Sequence, residues 1–376
     1  MLGRQTAFGG ILLVGSRLAT RLLDLATMLV LARILRPADF GLVAIATSLV
    51  QVVEAVLELP LNQALVRLPE ISRAQCDTAF TLGAVRGLVL SFILFVAAWP
   101  LSQIYGDDRL FWLVCALTVG PVMRGLGNPS FAHFHKNMSF WRDLIVELTG
   151  KLLSFTIGIA LAFLTDSYWA IAAGIIAFPT GITITSYLLK PYRPRFTLSE
   201  LPVFSGFLGW MTAAQVLMAL NWQSERLLLG KLKSNAELGL FSAANDMANI
   251  PMLAFLVPLQ RPLLAALAKL GNDRQRVASS YQTTSSAIVA IGLPLLVGES
   301  LLAEPAIRLV LGVKWLGAVP LLRWLPLSLI PALFTAAAVP LLMSTGKTHV
   351  FFRRNLIEFC VKMPLLFAGA IAFGFP

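Results

Sequence analysis

Apolar runs of about 20 residues, each closed by a short cluster of Pro, Gly or charge, recur along the whole chain. A helix of that length, rising about 1.5 Å per residue, crosses a hydrocarbon layer of about 30 Å. The breaks are short: Arg36-Pro37-Ala38-Asp39, Gly106-Asp107-Asp108, Lys190-Pro191-Tyr192-Arg193-Pro194-Arg195 and Gly271-Asn272-Asp273-Arg274. Only 13% of residues are charged against 57% hydrophobic. A water-soluble chain of this size carries roughly 25% charged residues to coat its surface. Most of this one's exterior therefore faces lipid.

On this pattern helices are expected at 6–32, 40–65, 78–104, 108–127, 139–164, 168–189, 203–230, 237–264, 276–303, 317–343 and 350–373. The expected fold class is all-α, a polytopic membrane protein of about eleven transmembrane helices. The first apolar stretch is interrupted by Arg17 and Arg21 and continues past them, so it reads as a helix and not as a cleaved leader. Trp99, Trp112, Tyr168, Trp169 and Trp315 fall near helix ends, where interfacial aromatics are expected.

The net charge of +11 is distributed, not clustered. Lys and Arg are richer in alternate loops: Arg67 and Arg73, Lys136 and Arg142, Lys190 to Arg195, Lys269 to Arg276, and Lys347 to Arg354. By the positive-inside rule those loops are cytoplasmic, and Arg4 puts the N-terminus with them. The basic residues read as topology signals and lipid contacts; with no aromatic-basic stripe, no nucleic-acid partner is expected. Cys76, Cys115 and Cys360 are widely spaced and odd in number, and are expected as small buried hydrophobes.

The polar segment 190–202 divides six expected helices from five, giving halves 1–200 and 201–376. The halves resemble each other. Ala38-Asp39-Phe40-Gly41-Leu42 is echoed by Ala236-Glu237-Leu238-Gly239-Leu240, an offset of 198 (239 − 41). Nineteen residues after each glycine comes a proline, Pro60 in Leu59-Pro60-Leu61 and Pro258 in Val257-Pro258-Leu259. Each copy opens the second helix of its half, so the repeats are parallel, related by an axis along the membrane normal. Two pseudo-symmetric bundles around a central cavity is the architecture such a repeat predicts.

Residues Leu31 to Leu42 resemble the first outer loop of the polysaccharide flippases of the multidrug/oligosaccharidyl-lipid/polysaccharide exporter superfamily. So do Glu225 to Gly230 followed by Glu237 to Ala244. The resemblance extends over the chain in charge pattern and internal repeat. Glu225 and Phe241 stand where members usually carry Asp and Tyr, and the second half is one helix short of the family pattern. The resemblance implies an inner-membrane transporter that moves undecaprenyl-diphosphate-linked oligosaccharide across the cytoplasmic membrane by alternating access, for capsule, O-antigen or exopolysaccharide assembly. It implies contact with membrane lipids and with polysaccharide polymerase and export machinery.

Charge at membrane depth is costly, about 2.5–3.5 kcal/mol for a central Arg or Asp, so such residues face protein or water. Arg17, Arg21 and Asp24 share one helical face. Given the implied substrate, Arg17 and Arg21 are candidates to attract its diphosphate, with Asp24 holding one of them; an Arg–Asp lock to a neighbouring helix is the alternative. Glu54 and Glu58, one turn apart, are counter-charges to those arginines or an ion site. Arg124, near the inner end of its helix, is a candidate for phosphate or headgroups, whereas Arg86 reads as snorkelling. Glu147 and Lys151 form a favourable i, i+4 pair. Asn221, Glu225, Arg226 and Asp246 are expected at the outer mouth, facing sugar hydroxyls or each other, and Lys362 has no obvious partner.

His133 and His135 lack further ligands nearby, so no metal is expected. With no Walker A or G-x-S-x-G motif and no aqueous catalytic domain, neither an enzyme nor a cofactor is expected. The alternatives are a cation-coupled drug or metabolite antiporter of the same superfamily, in which Glu54 and Glu58 dominate, or a membrane glycan polymerase or glycosyltransferase.

Overall fold

The structure is a computed structural model, and it describes residues 19–20, 22–59, 61–68, 70–136, 140–205, 210–253, 274–338, 341 and 348–372. Among these residues the regular structure is entirely helical. Six of the described helices are long and apolar enough to cross a membrane: Pro37–Val56, Arg73–Tyr105, Trp141–Thr165, Trp169–Leu189, Gln275–Leu301 and Val313–Thr335.

The chain divides into two compact units. The first comprises Met1–Leu35 and Ile45–Ala219; the second comprises Arg36–Ala44 and Leu220–Pro376.

In the first unit, α1 is described over 22–34. It is followed by α2 (Pro37–Val56), α3 (Leu61–Arg67), α4 (Arg73–Tyr105), α5 (Arg109–Leu117), α6 (Val119–Gly125) and α7 (Ala132–Lys136). Then come α8 (Phe140–Thr165), α9 (Trp169–Leu189) and α10 (Leu201–Ser205). The N-terminal part of α2, up to Ala44, belongs to the second unit and the remainder to the first. The helix expected over 40–65 breaks after Val56 and resumes at Leu61. Pro60 accounts for this, since its ring clashes with the carbonyl four residues back and it has no N–H to donate. Likewise the span expected at 108–127 is split at Thr118, three residues before Pro121.

α4 begins with a capping box: Ser72 Oγ accepts from Gln75 N at 3.2 Å and Gln75 Oε1 from Ser72 N at 2.9 Å. It ends at Gly106, whose φ of 68° lies in the left-handed region that closes a helix without Cβ strain. Its outward side carries Phe92 and Trp99, 68% and 65% exposed, an apolar surface that lipid and not water accommodates. α4 and α6 cross with their backbones touching. A Cβ on Gly83 would lie 2.8 Å from Gly125 O, and one on Gly87 would lie 2.7 Å from Pro121 O. Small residues at such a crossing let two membrane helices gain close packing in the absence of a hydrophobic driving force.

The 190–200 segment is a packed strap and not a loose linker. Tyr192 Oη donates to Asp77, Arg195 N donates to the same carboxylate at 3.2 Å, and Thr197 N donates to Thr81 Oγ1 at 3.0 Å. Burial, reinforced by the Asp77 hydrogen bond, pushes the Tyr192 phenol above its ordinary value. Burial holds the Lys190 ammonium below its own.

In the second unit, the described helices are α11 (Trp210–Leu232), α12 (Asn235–Ala248), α13 (Arg274–Leu301), α14 (Ala303–Val310), α15 (Val319–Ser328), α16 (Ile330–Thr335) and α17 (Thr348–Ala372). α12 also opens on a capping box, Ser234 with Glu237. The span expected over 317–343 is interrupted at Leu329, between Pro326 and Pro331. Trp315 is not interfacial: it is fully buried and meets the Phe40 ring edge-on at 5.0 Å. Trp99 and Trp112 are exposed as expected. Of the cysteines, Cys76 is buried, Cys115 half-buried and Cys360 exposed, so the expectation of three buried thiols holds fully for the first alone.

Candidate functional site

Arg17 and Arg21 lie outside the described residues. Of the same helical face, Asp24 is half-buried and accepts from Lys151 Nζ, so Lys151 reaches another helix.

The C-terminal part of α2 meets two arginines in the first unit. Glu54 is the hub. Arg124 Nε donates to Glu54 Oε1 at 2.9 Å, and Arg124 Nη2 donates to the same oxygen. Arg86 Nη2 donates to the main-chain oxygen of Glu54 at 3.2 Å. Arg86 therefore reaches inward to protein, where sequence reading had it snorkelling, and its Nε is buried without a hydrogen-bond partner. Glu58 lies beyond the end of α2 and is exposed. The Gly83–Gly125 crossing sets this geometry: Arg86 stands three residues beyond Gly83 on α4, and Arg124 one residue before Gly125 on α6.

Beside this cluster is a cavity of about 400 Å³ lined by Asn62, Arg86, Arg124, Asn128, Asp143 and Ser186 among others. Asn128 helps shape it, donating to the main-chain oxygens of Ser186 at 3.2 Å and Lys190 at 2.8 Å.

The second unit holds a separate polar cluster on α11, α12 and α17. Glu225 and Arg226 sit two turns before the end of α11. Arg226 pairs with Asp246. Glu225 pairs with Lys362 at 2.8 Å, the partner that the sequence alone did not reveal. Lys362 Nζ also donates to Asn221 O at 2.6 Å, and Asn221 Nδ2 donates to Asn355 O at 3.0 Å. Asn221 Oδ1, Arg226 Nε and Ser242 Oγ are buried without hydrogen-bond partners. Lys362 lies 137 residues from Glu225 (362 − 225), and no local spacing rule joins such a pair.

His133 shares a hydrogen bond with Ser130 O at 3.0 Å, and among the described residues no three His, Cys, Asp or Glu side chains gather as a metal site.

Comparison with known proteins fits this architecture. The chain is 26% identical over 361 residues to the succinoglycan biosynthesis transport protein ExoT of Rhizobium meliloti (strain 1021), covering 96% of this chain and 72% of that protein. It is 23% identical over 358 residues to the lipopolysaccharide biosynthesis protein WzxC of Escherichia coli (strain K12), covering 92% and 71%. The fold matches that of a multidrug resistance MATE family transporter of the MOP superfamily, solved in an inward-facing conformation. That match has a TM-score of 0.69 and 14% identity over 90% of this chain and 84% of the other. The resemblance noted in the sequence is thus upheld: a family model for polysaccharide biosynthesis proteins matches residues 30–320, and the chain belongs to that family of multi-pass membrane proteins.

Proposed function

We propose that the protein translocates an undecaprenyl-diphosphate-linked oligosaccharide from the cytoplasmic to the periplasmic leaflet of the bacterial inner membrane, by alternating access. The N-terminus is then cytoplasmic, and the halves 1–200 and 201–376 are the two lobes. The carrying observation is the relationship, over more than nine-tenths of the chain, to proteins named for polysaccharide biosynthesis and transport. The chemistry agrees. A diphosphate needs cations at membrane depth, and Arg17, Arg21 and Arg124 supply guanidinium groups suited to phosphate oxygens.

In this reading the polyprenyl tail stays in lipid, the protein forms no covalent intermediate, and the glycan is passed to polymerase and export machinery. Asp24, Glu54 and Glu58 keep the cations charged and in place while the site is empty. Asn221, Glu225, Arg226 and Asp246 serve the outer mouth, where sugar hydroxyls leave.

The experiment is complementation of a strain lacking its own flippase. The wild-type chain should restore surface glycan. Arg17→Ala with Arg21→Ala should insert at normal levels and fail to restore it. Full restoration by that double variant would remove the two arginines from the site. Drug resistance without glycan export would instead make the chain an antiporter.

A further inference from the structure

We infer that Arg86 and Arg124 form a seat for a phosphoryl group in the first unit, and that the Glu54 carboxylate occupies it when no ligand is bound. The identity of the natural ligand rests on the translocation reading; the seat itself does not.

Three observations carry this. First, the Arg124 grip on Glu54 is one-sided. Both Nε and Nη2 converge on Oε1. A guanidinium fork is matched best by two oxygens, one per donor, which a phosphate presents readily. Second, Arg86 holds Glu54 only by its main-chain oxygen, and its own Nε is buried without a partner. A buried guanidinium donor left unsatisfied is costly unless a ligand or water completes it. Third, both arginines line one cavity of about 400 Å³, which has room for more than a side chain.

The charge balance points the same way. The lining residues include two cations, Arg86 and Arg124, and one anion, Asp143. Glu54 brings that set to neutrality while its carboxylate is on Arg124. Once the carboxylate swings away, the cavity wall holds a surplus positive charge, and a phosphoryl group replaces one anion with another.

The test is binding of inorganic pyrophosphate to the full chain in phosphatidylcholine nanodiscs, read by calorimetry. Glu54→Gln should bind at least about tenfold tighter than wild type, the worth of one charge-assisted hydrogen bond freed for the ligand. Glu54→Gln with Arg86→Gln should lose that gain. Arg86→Lys keeps the charge without the fork and should fall between. Where Glu54→Gln folds poorly, Glu54→Asp, which draws the carboxylate back by one methylene, should show a smaller gain in the same direction. Equal binding by wild type and both Glu54 variants, or a gain that survives Arg86→Gln, overturns the seat.

Nanodiscs containing phosphatidic acid separate the ligand sources. If pyrophosphate binding by Glu54→Gln is abolished there, a lipid headgroup takes the seat; if it persists, the seat prefers a diphosphate. Both outcomes require the seat. Glycan export in the complementation strain is scored independently. Export with no pyrophosphate effect removes the seat alone; the pyrophosphate pattern without export removes the translocation reading alone.

Discussion

Gly41 and Gly239 hold equivalent places in the two sequence repeats, and they also touch. A Cβ on Gly41 would lie 1.8 Å from Asn235 O, and a Cβ on Gly239 would lie 1.7 Å from Pro37 O. Pro37 and Asn235 each precede their glycine by four residues, so the contact is reciprocal. The crossing is part of the second unit, to which the N-terminal part of α2 belongs. The repeat is thus not only a record of duplication. Its two copies supply the two sides of one contact.

Alanine at either position meets backbone, which cannot rotate away as a side chain can. Gly41→Ala and Gly239→Ala should each destabilise the protein by at least roughly 3 kcal/mol, the upper range for overpacking. Gly298, with open space around its α-carbon in α13, is the control. Gly298→Ala should be neutral or stabilising by up to about 1 kcal/mol, from helix propensity alone. Thermal unfolding in detergent, followed by size-exclusion fluorescence, compares the three.

The Glu225–Lys362 pair is about three-quarters buried on both sides. Lys362→Met leaves a carboxylate without its cation and should cost roughly 2–3 kcal/mol, below the 3–5 of a fully buried pair. Lys362→Met combined with Glu225→Gln should recover at least half of that. A double-mutant cycle measures the coupling, and additive losses would show the two side chains to be independent.

The strap over α4 depends on a protonated Tyr192. Its phenol titrates above the ordinary 10.0 because burial and the Asp77 carboxylate both disfavour the phenolate. A raised folded value means the contribution is complete below the ordinary value and is lost as pH climbs through the folded one. Tyr192→Phe should therefore cost about 1.5–3 kcal/mol at neutral pH, as for a hydrogen bond to a charged group. Wild type should approach the variant only in strong alkali. Limited proteolysis within 190–200 against pH checks this, and a variant as resistant as wild type at pH 7 would contradict it.

The class of fold was legible because lipid imposes it. Once apolar runs of about 20 residues recur along a chain, helices satisfy their backbone groups within each segment. Helix ends were less legible where proline acts at a distance, as at Val56 ahead of Pro60 and at Thr118 ahead of Pro121. Trp315 shows a further limit. Its position near a helix end suited the interface, yet Phe40 and the surrounding helices enclose it.

The partners of membrane charges were the least legible part. Glu54 and Arg124 are 70 residues apart, Asp24 and Lys151 are 127 apart, and Glu225 and Lys362 are joined by tertiary packing alone. Spacing on one helix identifies which charges share a face. It does not say which helix comes to meet them. The two close glycines at 83 and 125 were the available signal for the Arg86–Glu54–Arg124 cluster, because small residues mark where membrane helices touch.

The central claim is movement of a lipid-linked glycan between leaflets, and reconstitution tests it most directly. Proteoliposomes carrying the purified chain and a fluorescent undecaprenyl-diphosphate oligosaccharide in both leaflets are treated with a membrane-impermeant quencher. Quenching should pass from about half of the label to nearly all of it, and Arg17→Ala with Arg21→Ala should hold it near half. Quenching that stays at half with folded wild-type protein, over times in which an established flippase completes the reaction, would contradict the account.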